Sequence, residues 1–251
     1  MSQNSEPIET LSEFTSFVES LPKNFILSRG QSKENNLLPS ALRVDNSGNR
    51  KYSRADTQFF LNEFKDSSHN YMKFPSDIKD DYEWMVYAQH YGIPTKLLDF
   101  TYSHVVSLMF AVENAFIDEE NVDAEVWFLN PIELNYKHAN RAEVLNITNN
   151  DTPNLDNFDG PVAIKSRKLN ERINAQNGLF VYFQESNNNL NALVDENILQ
   201  RLIIKGEYKK DILSSLYAMG IGYTTLYPEL QSVSKDIMLK KSIFEHVKVG
   251  E

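Results

Sequence analysis

Residues 84–111 read WMVYAQHYGIPTKLLDFTYSHVVSLMFA, and the change of period inside this stretch decides the fold. From Trp84 the apolar positions recur at helical spacing until Gly92 and Pro94 interrupt them. Lys96 to Phe100 is a short extended run, and a second helix begins near Ser103. Gln89, His90, Thr95, Asp99 and Thr101 stand at or beside the breaks. Side chains at such breaks can converge without being consumed by a core.

Working upstream, Asn70 to Asp80 contains Pro75 and reads as a connection, preceded by a helix from Ser53 marked by Phe59, Phe60 and Phe64. The polar run at residues 45–51 and the segment Asn35 to Ser40 are loops. Phe25 to Gln31 predicts a strand running into a glycine turn at Gly30. Ile8, Leu11, Phe14, Phe17, Val18 and Leu21 have helical spacing, and Pro22 closes that helix. Downstream, Ala124 to Asn130 is an apolar strand ended by Pro131. Residues 135–160, rich in Asn and Asp, read as an insertion loop. Strands are expected at Leu179 to Phe183 and Leu199 to Ile204. Helices are expected at Tyr208 to Met219, capped by Gly220, and at Ser232 to Val247. The irregular alternation favours one α+β domain over a regular βαβ series. Residues 1–22 form its packed N-terminal helix, and residues 23–251 the body.

Composition narrows the chemistry. An apolar fraction of 41% in 251 residues supports a large core. Without cysteine, the chain has no disulfide, thiolate metal site or cysteine nucleophile. The five histidines are scattered without ligand spacing, so no metal is expected. No Walker loop, dinucleotide fingerprint or nucleophile elbow is present. No signal peptide or membrane span stands out, so a cytoplasmic protein away from membranes is expected. A formal charge of −10 disfavours bulk attraction to polyanions, leaving local cationic pockets for any nucleic-acid contact.

Several residues have the chemistry for a site. Arg29 offers a fixed charge and a planar fork for phosphate, or else pairs with a core carboxylate such as Asp99. Gly30 would let backbone approach a ligand. His90 suits proton transfer or phosphate binding, and equally a structural role. Asp99, next to Leu98 and Phe100, needs a partner or has a catalytic use. Thr95, Thr101 and Gln176 can bind a ligand or close turns, and Thr101 or Ser103 can cap the next helix.

Four groups of residues resemble the FRG domain family, named for an aromatic-Arg-Gly motif. They are Arg29-Gly30-Gln31 with Leu38-Pro39-Ser40, the run from Ala88 to Thr101, Phe110 to Glu113 with Val126 to Pro131, and Arg172-Ile173 with Gln176 to Phe180. Tyr227-Pro228-Glu229-Leu230 is also similar. Ser28 departs from the pattern by replacing the aromatic residue. The order of the pieces further resembles ADP-ribosyltransferases, which hold NAD with an Arg or His on a first strand. Those enzymes carry a Ser/Thr motif on a second strand and a glutamate just before a third.

That likeness implies a single α+β domain with a mixed, split β-sheet flanked by helices. It implies NAD as co-substrate, with Arg29, Asp99 and Gln176 as catalytic residues. Arg29, Gly30, Gln31, His90, Thr95, Thr101, Gly178 and Phe180 would form the NAD site. The third motif has no glutamate, so Asp99 or Glu185 would supply the charge. The implied acceptor is a macromolecule (RNA, DNA or protein), and the implied biology a bacterial toxin or anti-phage effector restrained by an antitoxin or chaperone. The alternative is a non-catalytic module that binds a nucleotide or phosphate.

Overall fold

The computed structural model describes residues 6–72, 78, 80–117, 121–148, 152–167, 178–185 and 188–250. They form an α+β fold around one seven-stranded mixed sheet of order β4-β5-β6-β2-β1-β3-β7. The strands are β1 Leu27–Gln31, β2 Leu97–Thr101, β3 Ala124–Leu129, β4 Leu145–Asn146, β5 Val162–Lys165, β6 Gly178–Tyr182 and β7 Leu199–Ile204. Among these seven strands only β4 and β5 pair in parallel, and Ile8 adds an isolated parallel bridge to Ile204.

The sheet is continuous, not divided into two, but it narrows sharply in the middle. β1 pairs with β3 from Leu27/Leu129 to Gln31/Glu125, and β2 with β6 from Leu97/Tyr182 to Thr101/Gly178. Between β1 and β2 the register holds only at Ser28 and Thr101. Beyond that pair the strands diverge, and a cavity opens there.

Each half has its own cover. Helices α1 (Leu11–Ser20), α4 (His104–Val112) and α7 (Lys209–Ala218) close over the β1-β3-β7 half. Phe14, Met109, Val126, Phe128, Leu202 and Leu213 are buried together there. Thr10 and Glu13 form the box that starts α1. Over the other half, α3 (Asp81–His90) sets Val86 against Leu97, Ile164, Phe180 and Tyr182. A third cluster, with Leu27, Leu98, Phe100, Trp127, Leu129 and Val181, lies across both halves and ties them together.

Three expectations need correction. Gly30 does not turn the chain. A Cβ on it would lie 1.8 Å from the Ser107 carbonyl oxygen, so the missing side chain lets α4 lie directly on β1. Pro131 ends β3 but also begins helix α5, Pro131–Ala139, as its first residue. The Asn130 side chain caps that helix and Asn140 closes it in the left-handed region at φ 52°. The supposed insertion at 135–160 therefore starts inside a helix and contains β4. Finally, β5 has no counterpart in the sequence reading; its run Val162-Ala163-Ile164 is too short to register as a strand.

The remaining helices are α2 (Arg54–Ser68), α6 (Leu190–Leu193), α8 (Tyr223–Leu226) and α9 (Leu230–Gly250). None among the described residues is long and apolar enough to cross a membrane.

Candidate functional site

Where β1 and β2 diverge lies a cavity of about 390 Å³, within the usual size of ligand pockets. It is lined by Arg29, Gly30 and Gln31 of β1, Asp99 and Thr101 of β2, and Gly178 and Phe180 of β6. His90 and Gln89, at the end of α3, and Glu113, at the end of α4, add to the wall. Residues distant in sequence meet because β1, β2 and β6 are successive neighbours in the sheet.

Arg29 sets the electrostatics. Its side chain keeps 20% of its accessible surface. Nη1 donates to the Asp99 backbone carbonyl at 2.9 Å, an acceptor freed where the strands part. The Asp99 carboxylate is 3.8 Å away and 59% exposed, so this ion pair contributes about 1 kcal/mol or less. Nε of Arg29 is buried and has no hydrogen-bond partner among the described residues. An orphaned buried donor costs about 1–3 kcal/mol, more on a charged group. Burial pushes the guanidinium below its ordinary pKa; Asp99 draws it back up, and the nearby Arg43 lowers it again. Arg43 also lines the cavity. An anion between the two guanidiniums would remove their repulsion and meet the unused donor.

Asp99 is held by a relay. Gln89 Nε2 donates to Asp99 Oδ1 at 2.6 Å, and the Thr95 hydroxyl donates to Gln89 Oε1. Thr95 Oγ1 also accepts the Leu97 backbone N–H at 3.2 Å. Thr95 is thus buried behind the site and orients Gln89; it does not line this cavity. Gln31 shows the cavity part of its surface, but its amide is committed to Glu125 Oε1 at 2.7 Å and to the Asn35 carbonyl. Thr101 accepts the Ser103 N–H at 3.0 Å, and Ser103 caps α4. Ser28 is fully buried, its hydroxyl 2.8 Å from both Ser107 Oγ and His104 Nδ1. A polar junction thus ties β1 to α4.

Gln176 lies outside the described residues, as does Arg172. Glu185 is elsewhere. It joins Arg50 and Lys96 beside a second cavity of about 190 Å³ and does not reach Arg29. Sequence reasoning missed Arg43, which no motif marks. Glu113 and Tyr227 stand in residues 110–113 and 227–230, where sequence alone gives neither a role. Tyr227 Oη donates to both Glu113 carboxylate oxygens, at 3.2 and 3.4 Å, joining the end of α4 to the segment before α9. Among the described residues, no group of three His, Cys, Asp or Glu stands ready to hold a metal ion.

Residues 24–120 match the family model of the FRG domain. That segment contains β1, β2, α3, α4 and most of the cavity wall, whereas β6 and Tyr227 lie beyond it. No curated protein and no solved structure matches the chain.

Proposed function

We propose that this FRG-domain protein is an NAD-dependent ADP-ribosyltransferase that modifies a macromolecule. The supporting observation is the convergence of three motif-bearing strands, β6, β2 and β1, on one cavity beside Arg29, whose buried Nε has no partner among the described residues. Arg29 and Arg43 would grip the pyrophosphate of NAD, with Phe180 against an aromatic ring of the ligand. Gln176 would orient the nicotinamide ribose from the segment leading into β6.

In the reaction, the bond between ribose C1′ and the nicotinamide nitrogen breaks, and the electron pair leaves with neutral nicotinamide. The positive charge passes to the ribosyl C1′–O4′ unit. An acceptor oxygen or nitrogen then bonds to C1′ and releases its proton. The protein's task is to hold the diphosphate and place a carboxylate near the developing charge. Asp99 is the carboxylate nearest Arg29. A cytoplasmic toxin or anti-phage effector under antitoxin control is the biology this chemistry would serve.

A second reading is a module that binds a nucleotide or phosphate without reaction. The Arg29–Asp99 contact favours it, because Asp99 then serves to steady the anion-binding arginine.

Incubation of the protein with adenylate-labelled NAD and separate protein, RNA and DNA pools tests the proposal. Label transfer by wild type, lost in Arg29→Ala while the thermal midpoint changes little, is the expected result. Saturable NAD binding without nicotinamide release would instead establish the binding module.

A further inference from the structure

We infer that Glu113, rather than Asp99, is the catalytic carboxylate, and that Tyr227 is its positioning residue. This assignment rests on the NAD reading above and names a charge that the third sequence motif lacks.

Among the described residues two carboxylates line the cavity, and their surroundings differ. Asp99 sits 3.8 Å from the Arg29 guanidinium and accepts from Gln89 at 2.6 Å. Its charge is directed toward the cation that an incoming diphosphate would use. Glu113 follows the last residue of α4, and its backbone N–H donates to the Met109 carbonyl at 2.7 Å. The C-terminal end of a helix carries partial negative charge and ordinarily favours Lys or Arg. The last turn of α4 has no basic residue, and a glutamate follows it instead. The carboxylate and the helix end thus present negative charge of the same sign to the cavity, where a positive charge developing on a ligand would meet both.

The mounting of Glu113 is rigid. Tyr227 donates to its carboxylate, and Tyr223 Oη donates to its backbone carbonyl. Phe110, another cavity residue, meets the Tyr227 ring edge-on at 6.1 Å. The Lys235 ammonium stands 5.4 Å from the Tyr223 ring and 5.7 Å from that of Tyr227. A phenol orients a carboxylate through a neutral hydrogen bond and leaves its charge in place. Glu113 would thus face C1′ as nicotinamide departs with the bonding pair, and the acceptor's proton would pass to Glu113 or to solvent. The C-terminal segment at 223–227, outside the family match, is then part of the active site.

Nicotinamide release and NAD affinity of the full chain, measured by chromatography and calorimetry, test the assignment. Glu113→Gln should bind NAD within about threefold of wild type while release falls about 100-fold or more. Tyr227→Phe should lower kcat about tenfold, leave KM unchanged and move the acid limb of the pH–rate profile upward, as the carboxylate loses a donor. Wild-type turnover in Glu113→Gln would overturn the assignment alone. Loss of NAD affinity together with turnover would make Glu113 a binding residue and also overturn it. If Glu113→Gln does not fold, an unchanged kcat and pH profile in Tyr227→Phe overturns the assignment. A wild-type protein that neither binds nor cleaves NAD overturns the parent reading, and this one with it.

Discussion

Lys96 and Arg29 are both enclosed cations that address β2, one at its start and the other at its middle, yet they are finished differently. Lys96 Nζ lies 2.7 Å from Asp156 Oδ1, 3.7 Å from Glu185 Oε1 and 4.8 Å above the Tyr182 ring. Tyr182 Oη completes the group by donating to Asp156 at 2.8 Å, and Arg50 binds Glu185 from outside. Its donors and charge are answered from within the fold. Among the described residues Arg29 has one backbone acceptor, a long exposed ion pair and a buried Nε without a partner. A satisfied buried cation is framework, while one left short beside a cavity is equipped for a ligand.

That contrast can be broken most forcefully at Lys96. Lys96→Met removes the charge that Asp156 and Glu185 share, and breaking a buried pair costs about 3–5 kcal/mol. Asp156 retains 38% exposure, so a loss of about 2–3 kcal/mol is expected by urea denaturation, with NAD affinity of the folded fraction unchanged. A variant as stable as wild type that no longer binds NAD would reverse the roles of the two clusters.

Acid sharpens the comparison next. Burial raises the Asp156 pKa, but hydrogen bonds from Lys96 and Tyr182 and the Lys96 charge outweigh it, and the net shift is downward. Asp156 therefore contributes stability above its unfolded value near 3.8 that is lost as pH falls through the lower folded value. His104 is also lowered, by burial foremost, with the Phe25 carbonyl opposing. Its contribution is present above about 6.5 and declines as pH drops through its folded value. Thermal midpoints should therefore fall on acidification, and the fall below about pH 4 should be smaller in Asp156→Asn than in wild type, Glu13, Asp56 and Asp123 supplying the remainder.

The smallest effect belongs to Gln89. Gln89→Leu removes one hydrogen bond that holds Asp99 beside Arg29, and nicotinamide release about tenfold below wild type is expected as Arg29 grips the diphosphate less firmly. An unchanged rate would mean that Asp99 needs no orientation.

Much of this site was legible in residues 84–111, because a Gly-x-Pro break between helix and strand forces polar side chains to a common edge. Arg29, His90, Asp99, Thr101, Gly178 and Phe180 do share a cavity. Thr95 stays open between two roles in the sequence because a threonine after proline looks the same whether its hydroxyl faces a ligand or a glutamine. Arg43 was invisible because an arginine in a loop carries no period. Glu113 could have been suspected from a glutamate closing a helix that lacks terminal cations. The helix at 131–139 was hidden by reading Pro131 as an ending only, although Asn-Pro-x-Glu is also a beginning.

The bare α-carbon of residue 30 has a last consequence, for heredity rather than chemistry. Through it β1 touches α4, and α4 delivers Glu113 to the cavity that Arg29 commands. The spacing between the two ends of the site is therefore written in a single codon. In a library of random substitutions, the sequences that survive selection should spell glycine at position 30 and tolerate no second letter.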